Sequence, residues 1–84
     1  MVRRTHPRLA WQIVDGEAIL VDAQSGTTIG LNGVGAFIWS RLDTHTEEAI
    51  ADELSAAFDV DRDTAKADLA SFLKSLGERQ LLVE

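Results

Sequence analysis

The spacing of large apolar residues changes once along this chain, near residue 32, and that single change limits what it can build. Before it, apolar residues recur at every second position; after it, they recur at every third or fourth. A two-residue period lines one face of a strand and a 3.6-residue period one face of a helix, so a block of strands precedes a block of helices. Leu9, Trp11 and Ile13 alternate with Ala10 and Gln12 in a first strand running to Asp15. Asp15-Gly16 supplies the positive-φ residues of a tight hairpin. The second strand runs from Glu17 to Asp22, and its unbroken apolar stretch predicts partial cover on both faces. Gln24, Ser25 and Gly26 form the next turn. Thr27 to Leu31 is the third strand, with Thr27, Ile29 and Leu31 on one face and Thr28 and Gly30 on the other.

Three helices are expected afterwards. Asn32 is a suitable N-cap for the first, whose inward stripe is Val34, Phe37, Ile38 and Leu42. Thr46 caps the second, with Glu47 and Glu48 in the first turn, where the helix dipole favours acids, and Ile50, Leu54 and Phe58 facing inward. Asp61 opens the third and longest, with Ala65, Leu69, Phe72, Leu73 and Leu76 along one side, leading to Leu81, Leu82 and Val83. The expected class is α+β: a three-stranded antiparallel sheet followed by three helices, βββααα. At 84 residues this is one domain, with residues 1–6 as a flexible tail.

Composition narrows the function. No cysteine is present, which removes disulfides and thiolate metal sites and fits a reducing, cytoplasmic setting. Fourteen acids face eight basic residues, for a net charge of −6. Residues 1–32 are balanced at three of each, while residues 33–84 hold eleven acids and five basic residues. A domain that neutralises phosphates carries the opposite excess, so nucleic-acid binding is disfavoured. No apolar run approaches a membrane span.

The inventory for chemistry is short. His6 and His45 stand apart from any carboxylate or histidine at a pairing interval and read as surface groups. Glu47, Glu48, Asp52 and Glu53 read as a solvated helix face, without calcium-loop spacing. Gly30, Gly33 and Gly35 follow a strand and open a helix, but the order G-x-x-G-x-G without a following Lys-Ser/Thr is no phosphate loop. They read as a tight corner and a close backbone approach. Trp11 and Trp39 lack basic neighbours and read as core residues. No catalytic residue, metal ligand or cofactor site is expected.

The third strand is different. It lies last in a small sheet, carries no charge and no proline, and lacks the lysines that guard an exposed edge. Every small sheet has edges, so the edge alone decides nothing. Were it functional, its mode would be β-augmentation, in which a peptide adds as a strand and lodges alternate side chains beside a helix.

Several runs resemble PqqD-like proteins, the recognition elements for precursors of ribosomally made, modified peptides. They are Glu17 to Asp22, Gly26 to Asn32, Phe37-Ile38-Trp39 with Leu42, Glu47 to Leu54, Ala67 to Leu73, Leu76 and Leu81 to Val83. The resemblance covers about residues 7 to 84. It implies a winged-helix-like domain that binds the leader segment of a precursor peptide as an added strand between the third strand and the third helix. It implies further that the domain presents the leader to a maturation enzyme such as a leader peptidase or a radical SAM maturase. Carried onto this chain, the strand partners are Thr27, Thr28, Ile29, Gly30 and Leu31, and the helical wall is Asp68, Leu69, Phe72 and Leu76. Two departures stand out. Gln80 occupies a place where the family often has glycine, and Gln24-Ser25-Gly26 replaces a Pro-Glu-Gly turn common in pyrroloquinoline quinone biosynthesis. The second points away from that pathway, toward lasso-peptide-like or other, generic PqqD-like members. The alternative is a winged-helix DNA-binding or regulatory domain with Arg62, Lys66, Lys74 and Arg79 as a stripe, which Asp61, Asp63, Asp68 and Glu78 interrupt.

Overall fold

A computed structural model describes residues 4–83. Strands β1 (Leu9–Val14), β2 (Glu17–Asp22) and β3 (Thr28–Leu31) precede helices α1 (Gly33–Trp39), α2 (Glu47–Phe58) and α3 (Arg62–Glu78). The sheet is antiparallel in the order β1-β2-β3, as expected from three strands joined by two short turns. Asp15 and Gly16 adopt φ of 53° and 79°, the left-handed pair that matches a two-residue hairpin to the twist of its strands. Trp11, Leu20 and Ile29 lie side by side on one face, and so do Ile13, Ala18 and Leu31. That face meets the helices.

Alternation delivers the core. Ala18, Leu20 and Leu31 from the sheet join Ala36, Ile38 and Trp39 of α1, Ile50, Ala51 and Leu54 of α2, and Ala65, Leu69 and Leu76 of α3. Trp39 is completely buried and meets Trp11 edge to face, ring centroids 6.2 Å apart. α1 packs on β2 and on α2, while α3 packs chiefly on α2. The opposite face of the sheet stays open: Ile19 is half-buried and Val21 is exposed, so β2 is covered on one face only. The expectation of cover on both faces fails because all three helices lie on the same side.

The ends of the helices divide cleanly. The Thr46 hydroxyl accepts from Ala49 N–H at 3.1 Å, and the Asp61 carboxylate accepts from Thr64 N–H at 2.8 Å. Asn32 has the extended backbone of an N-cap but makes no side-chain cap bond. α1 also stops three residues before Leu42. Arg41 and Leu42 donate to carbonyls three residues back, and Ser40 Oγ and Arg41 Nη1 take up the Phe37 carbonyl. Leu42 is buried all the same, beyond the helix. Phe58, expected inside, is exposed at the C-terminus of α2, where it meets Phe37 edge to face at 5.4 Å.

Residues 4–6 do not form a tail. Thr5 is fully buried and bridges to Leu82, His6 N–H donates to the Leu81 carbonyl at 3.0 Å, and Val83 N–H donates to the Arg4 carbonyl at 2.7 Å. The Asp43 carboxylate accepts from the N–H groups of Arg4 and Thr5 and from the Thr5 hydroxyl. Residues 1–3, expected in the same tail, lie outside the described residues. His45 is also corrected: its Nε2 lies 3.0 Å from Glu53 Oε2, a carboxylate brought to it by the loop after α1. Among the described residues no helix is long and apolar enough to cross a membrane.

Candidate functional site

The free edge belongs to β3. Asp22 N–H donates to the Thr27 carbonyl at 2.9 Å, which fixes the parity of the β2–β3 ladder. In an antiparallel pair, residues exchanging both hydrogen bonds alternate with residues that exchange none. With the register Leu20↔Ile29 and Ala18↔Leu31, the N–H and C=O of Ile29 and Leu31 turn toward β2. Those of Thr28 and Gly30 therefore turn outward together. Sequence periodicity alone does not assign this, because it fixes side-chain faces and leaves open which residues pair.

The turn before this edge is tied down by Asp22. Arg8 Nε donates to Asp22 Oδ2 at 3.0 Å, and the N–H groups of Gln24 and Ser25 donate to Oδ1 at 2.9 and 3.4 Å. These contacts, led by the Arg8 bond, hold the Asp22 carboxyl below the usual carboxylate range, against a smaller opposing effect of desolvation. Gly26 turns the chain at φ 71°, and Thr27, the first residue of the expected strand, belongs to this turn, where its N–H donates to Ser25 Oγ. Asp22 was not among the sequence candidates. An Asp followed two residues later by a polar turn is its only local signal.

The helix side is uneven. Phe72 is half-buried and crosses from α3 to the corner where β3 passes into α1. A β-carbon at Gly35 would stand 3.2 Å from Phe72 Cε1 and 3.6 Å from Leu31 Cβ, so ring, glycine and strand end meet there. Asp68, one turn earlier on the same side of α3, is exposed and has no ion pair among the described residues. Leu69 and Leu76 are buried in the core. Leu69 also lines a groove of about 250 Å³ between α2 and α3, beside Ala51, Ala70, Lys66, Glu47 and Glu48. Of the four expected helix residues, Phe72 comes up to Gly35 beside the end of β3, Asp68 is exposed on α3, and Leu69 and Leu76 are buried in the core.

The three glycines of the corner separate. Gly33 carries a φ of 48° at the turn into α1, Gly35 admits Phe72, and Gly30 has neither a positive φ nor a neighbour within 4 Å of an added β-carbon. Among the described residues no cluster of three or more His, Cys, Asp or Glu is placed to hold a metal ion. What the edge offers chemically is two outward N–H and C=O pairs on an uncharged strand, with the ring of Phe72 near its C-terminal end.

The chain is similar to known proteins in sequence and in structure. Residues 17–82 match the sequence model of the family described as coenzyme PQQ synthesis protein D (PqqD). No curated protein matches the chain. TbiB1 in complex with the TbiA(beta) leader peptide is similar in structure, at 36% identity and a TM-score of 0.85, covering 94% of this chain and 93% of that one. Lasso peptide synthetase B1 complexed with the leader peptide is similar at 30% identity and a TM-score of 0.85, covering 96% of each chain.

Proposed function

The chain belongs to the family of coenzyme PQQ synthesis protein D, and we propose that it is a non-catalytic adaptor that binds the leader segment of a ribosomally made precursor peptide and presents it to a maturation enzyme. The leader adds as a fourth strand on β3 and rests its side chains against α3. The observation that carries this reading is the outward pairing groups of Thr28 and Gly30 on an edge without charge. Main-chain bonds give affinity there and the ring of Phe72 gives an apolar contact. In this reading the exposed carboxylate of Asp68 accepts from a leader donor or cation. The role requires no acid, base or nucleophile; tethering raises the effective concentration of the core peptide at the enzyme.

Two observations favour a lasso-type precursor over a quinone-type one. The β2–β3 turn is Gln24-Ser25-Gly26, and both similar structures are leader-bound, one of them a lasso peptide synthetase component. A nucleic-acid role has no comparable support. Arg62 is paired with Asp52 at 2.9 Å, and Lys66 shares its groove with Glu47 and Glu48, so acids accompany the first two basic residues of the expected stripe.

Titration of the labelled TbiA(beta) leader peptide tests the proposal. Saturable binding is expected, weakened about tenfold or more in Thr28→Pro and Gly30→Pro, each of which removes an outward donor while sparing the β2–β3 ladder. Unchanged binding in both proline variants would refute strand addition at β3.

A further inference from the structure

We propose that Arg8 is a positioning residue of the leader site: by donating at once to the turn before β3 and to the end of α3, it sets the width of the cleft that the added strand enters. The inference rests on the strand-addition reading and adds a determinant that lies on neither wall.

The two walls run in opposite directions. Where β3 ends, Leu31 and Phe72 both stand against Gly35. Just before β3 begins, the Thr27 carbonyl accepts from Asp22 N–H, and Asp22 is joined through Arg8 to Gln80 at the end of α3. From Thr27 to Leu31 an extended chain rises about 13 Å, and from Phe72 to Gln80 a helix rises about 12 Å. The two connections therefore stand at matching heights and bound the cleft at both ends. α3 packs chiefly on α2, so its distance from the sheet depends on such connections.

The Phe72 end is a packing contact, whereas the Arg8 end is polar and directional. Arg8 Nε donates to Asp22 Oδ2 at 3.0 Å, and Arg8 Nη2 donates to the Gln80 carbonyl at 2.8 Å. One planar guanidinium holds both donors at a fixed separation, which the single nitrogen of a lysine cannot do. Asp22 also accepts from the N–H groups of Gln24 and Ser25, so Arg8 grips the whole turn that leads through Gly26 to β3. The side chains of Arg8 and Asp22 are only 21% and 14% exposed, which limits competition from water. Gln80 takes part through its main chain, so its side chain is free to vary. A cleft held at a set width lets an added strand bond to β3 and contact α3 together, without first ordering either wall.

Titration of the TbiA(beta) leader peptide, at a temperature where every variant is folded, tests this. Arg8→Ala is expected to bind about tenfold more weakly than the wild type. Arg8→Lys keeps the charge beside Asp22 but not the two-point bridge; it is expected to bind nearly as weakly, and it carries the same test should Arg8→Ala fail to fold. Thr46→Ala removes the cap of α2 and touches neither Asp22 nor Gln80, so it is expected to lower the melting temperature and keep wild-type affinity. The chain has no cysteine, so spin labels attach only at Gln24→Cys and Glu78→Cys, one on each side of the cleft. Without peptide, their distance distribution is expected to broaden when Arg8→Ala is added. Wild-type affinity in folded Arg8→Ala, equal losses in Arg8→Ala and Thr46→Ala, or an unchanged distance distribution would each overturn the inference while leaving strand addition intact. Absence of saturable binding by the wild type would instead remove the strand-addition reading, and this inference with it.

Discussion

The ring of Phe72 on α3 lies against the backbone of Gly35 on α1, so close that a β-carbon at Gly35 would stand 3.2 Å from Phe72 Cε1. A glycine inside a seven-residue helix lowers helix stability by about 1 kcal/mol relative to alanine, and this contact explains its presence. Gly35→Ala therefore sets a gain in helix propensity against a displaced ring. Near-neutral stability is expected in the wild-type background, and a gain of about 1 kcal/mol in Phe72→Leu, where the ring atoms are gone. Urea unfolding of the four proteins checks it; additive effects would mean that the two residues are uncoupled.

Gln80 occupies the left-handed position that ends α3, at φ 60°. Leu81 N–H donates to the Leu76 carbonyl and Gln80 N–H to the Gly77 carbonyl, both at 3.0 Å, the two bonds of a Schellman motif with Leu81 packed beneath it. Glycine takes this conformation without the steric penalty of a β-carbon. Gln80→Gly is expected to stabilise the domain by about 1 kcal/mol and to leave binding of the TbiA(beta) leader unchanged. Thermal and chemical unfolding read the first outcome and titration the second.

Asp43 clasps the amino-terminal segment through the N–H groups of Arg4 and Thr5 and the buried Thr5 hydroxyl. Removing the carboxylate strands buried donors. Asp43→Ala is expected to destabilise the fold by about 2–3 kcal/mol, measured by urea unfolding, with β3 unaltered in its amide spectrum.

Acid sensitivity follows from two carboxyls. Asp22 is held below the usual range mainly by the Arg8 side-chain bond, and Asp61 mainly by its bonds from Thr64. A carboxyl with a lower value folded than unfolded contributes its full stability above the unfolded value and loses it as pH falls through the folded one. Melting temperature should thus fall on acidification through and below the ordinary carboxylate range. The double variant Asp22→Asn, Asp61→Asn should flatten that acid limb.

Much of this fold is written locally. The Asp15-Gly16 hairpin, the caps at Thr46 and Asp61, and the alternation of Trp11, Leu20 and Ile29 each depend on residues a few positions apart, so periodicity and turn chemistry reveal them. The clasp between Thr5 and Asp43 and the contact between Gly35 and Phe72 join residues nearly forty positions apart, and no local pattern encodes them. Phe58 fits the inward stripe of α2 yet is exposed at the end of that helix even though it meets Phe37 of α1, because a helical period marks a face and not how far its cover extends. At the candidate site, the uncharged third strand was legible, whereas its outward groups became assignable only through the pairing register.

Hydrogen exchange at four consecutive amides tests the central claim most directly. In the free protein, Ile29 and Leu31 should be protected by β2, while Thr28 and Gly30 should exchange rapidly. Saturation with the TbiA(beta) leader peptide should protect Thr28 and Gly30 and leave Ile29 and Leu31 as they were. Saturable binding of that peptide with Thr28 and Gly30 still exchanging at their free rates would contradict strand addition at this edge.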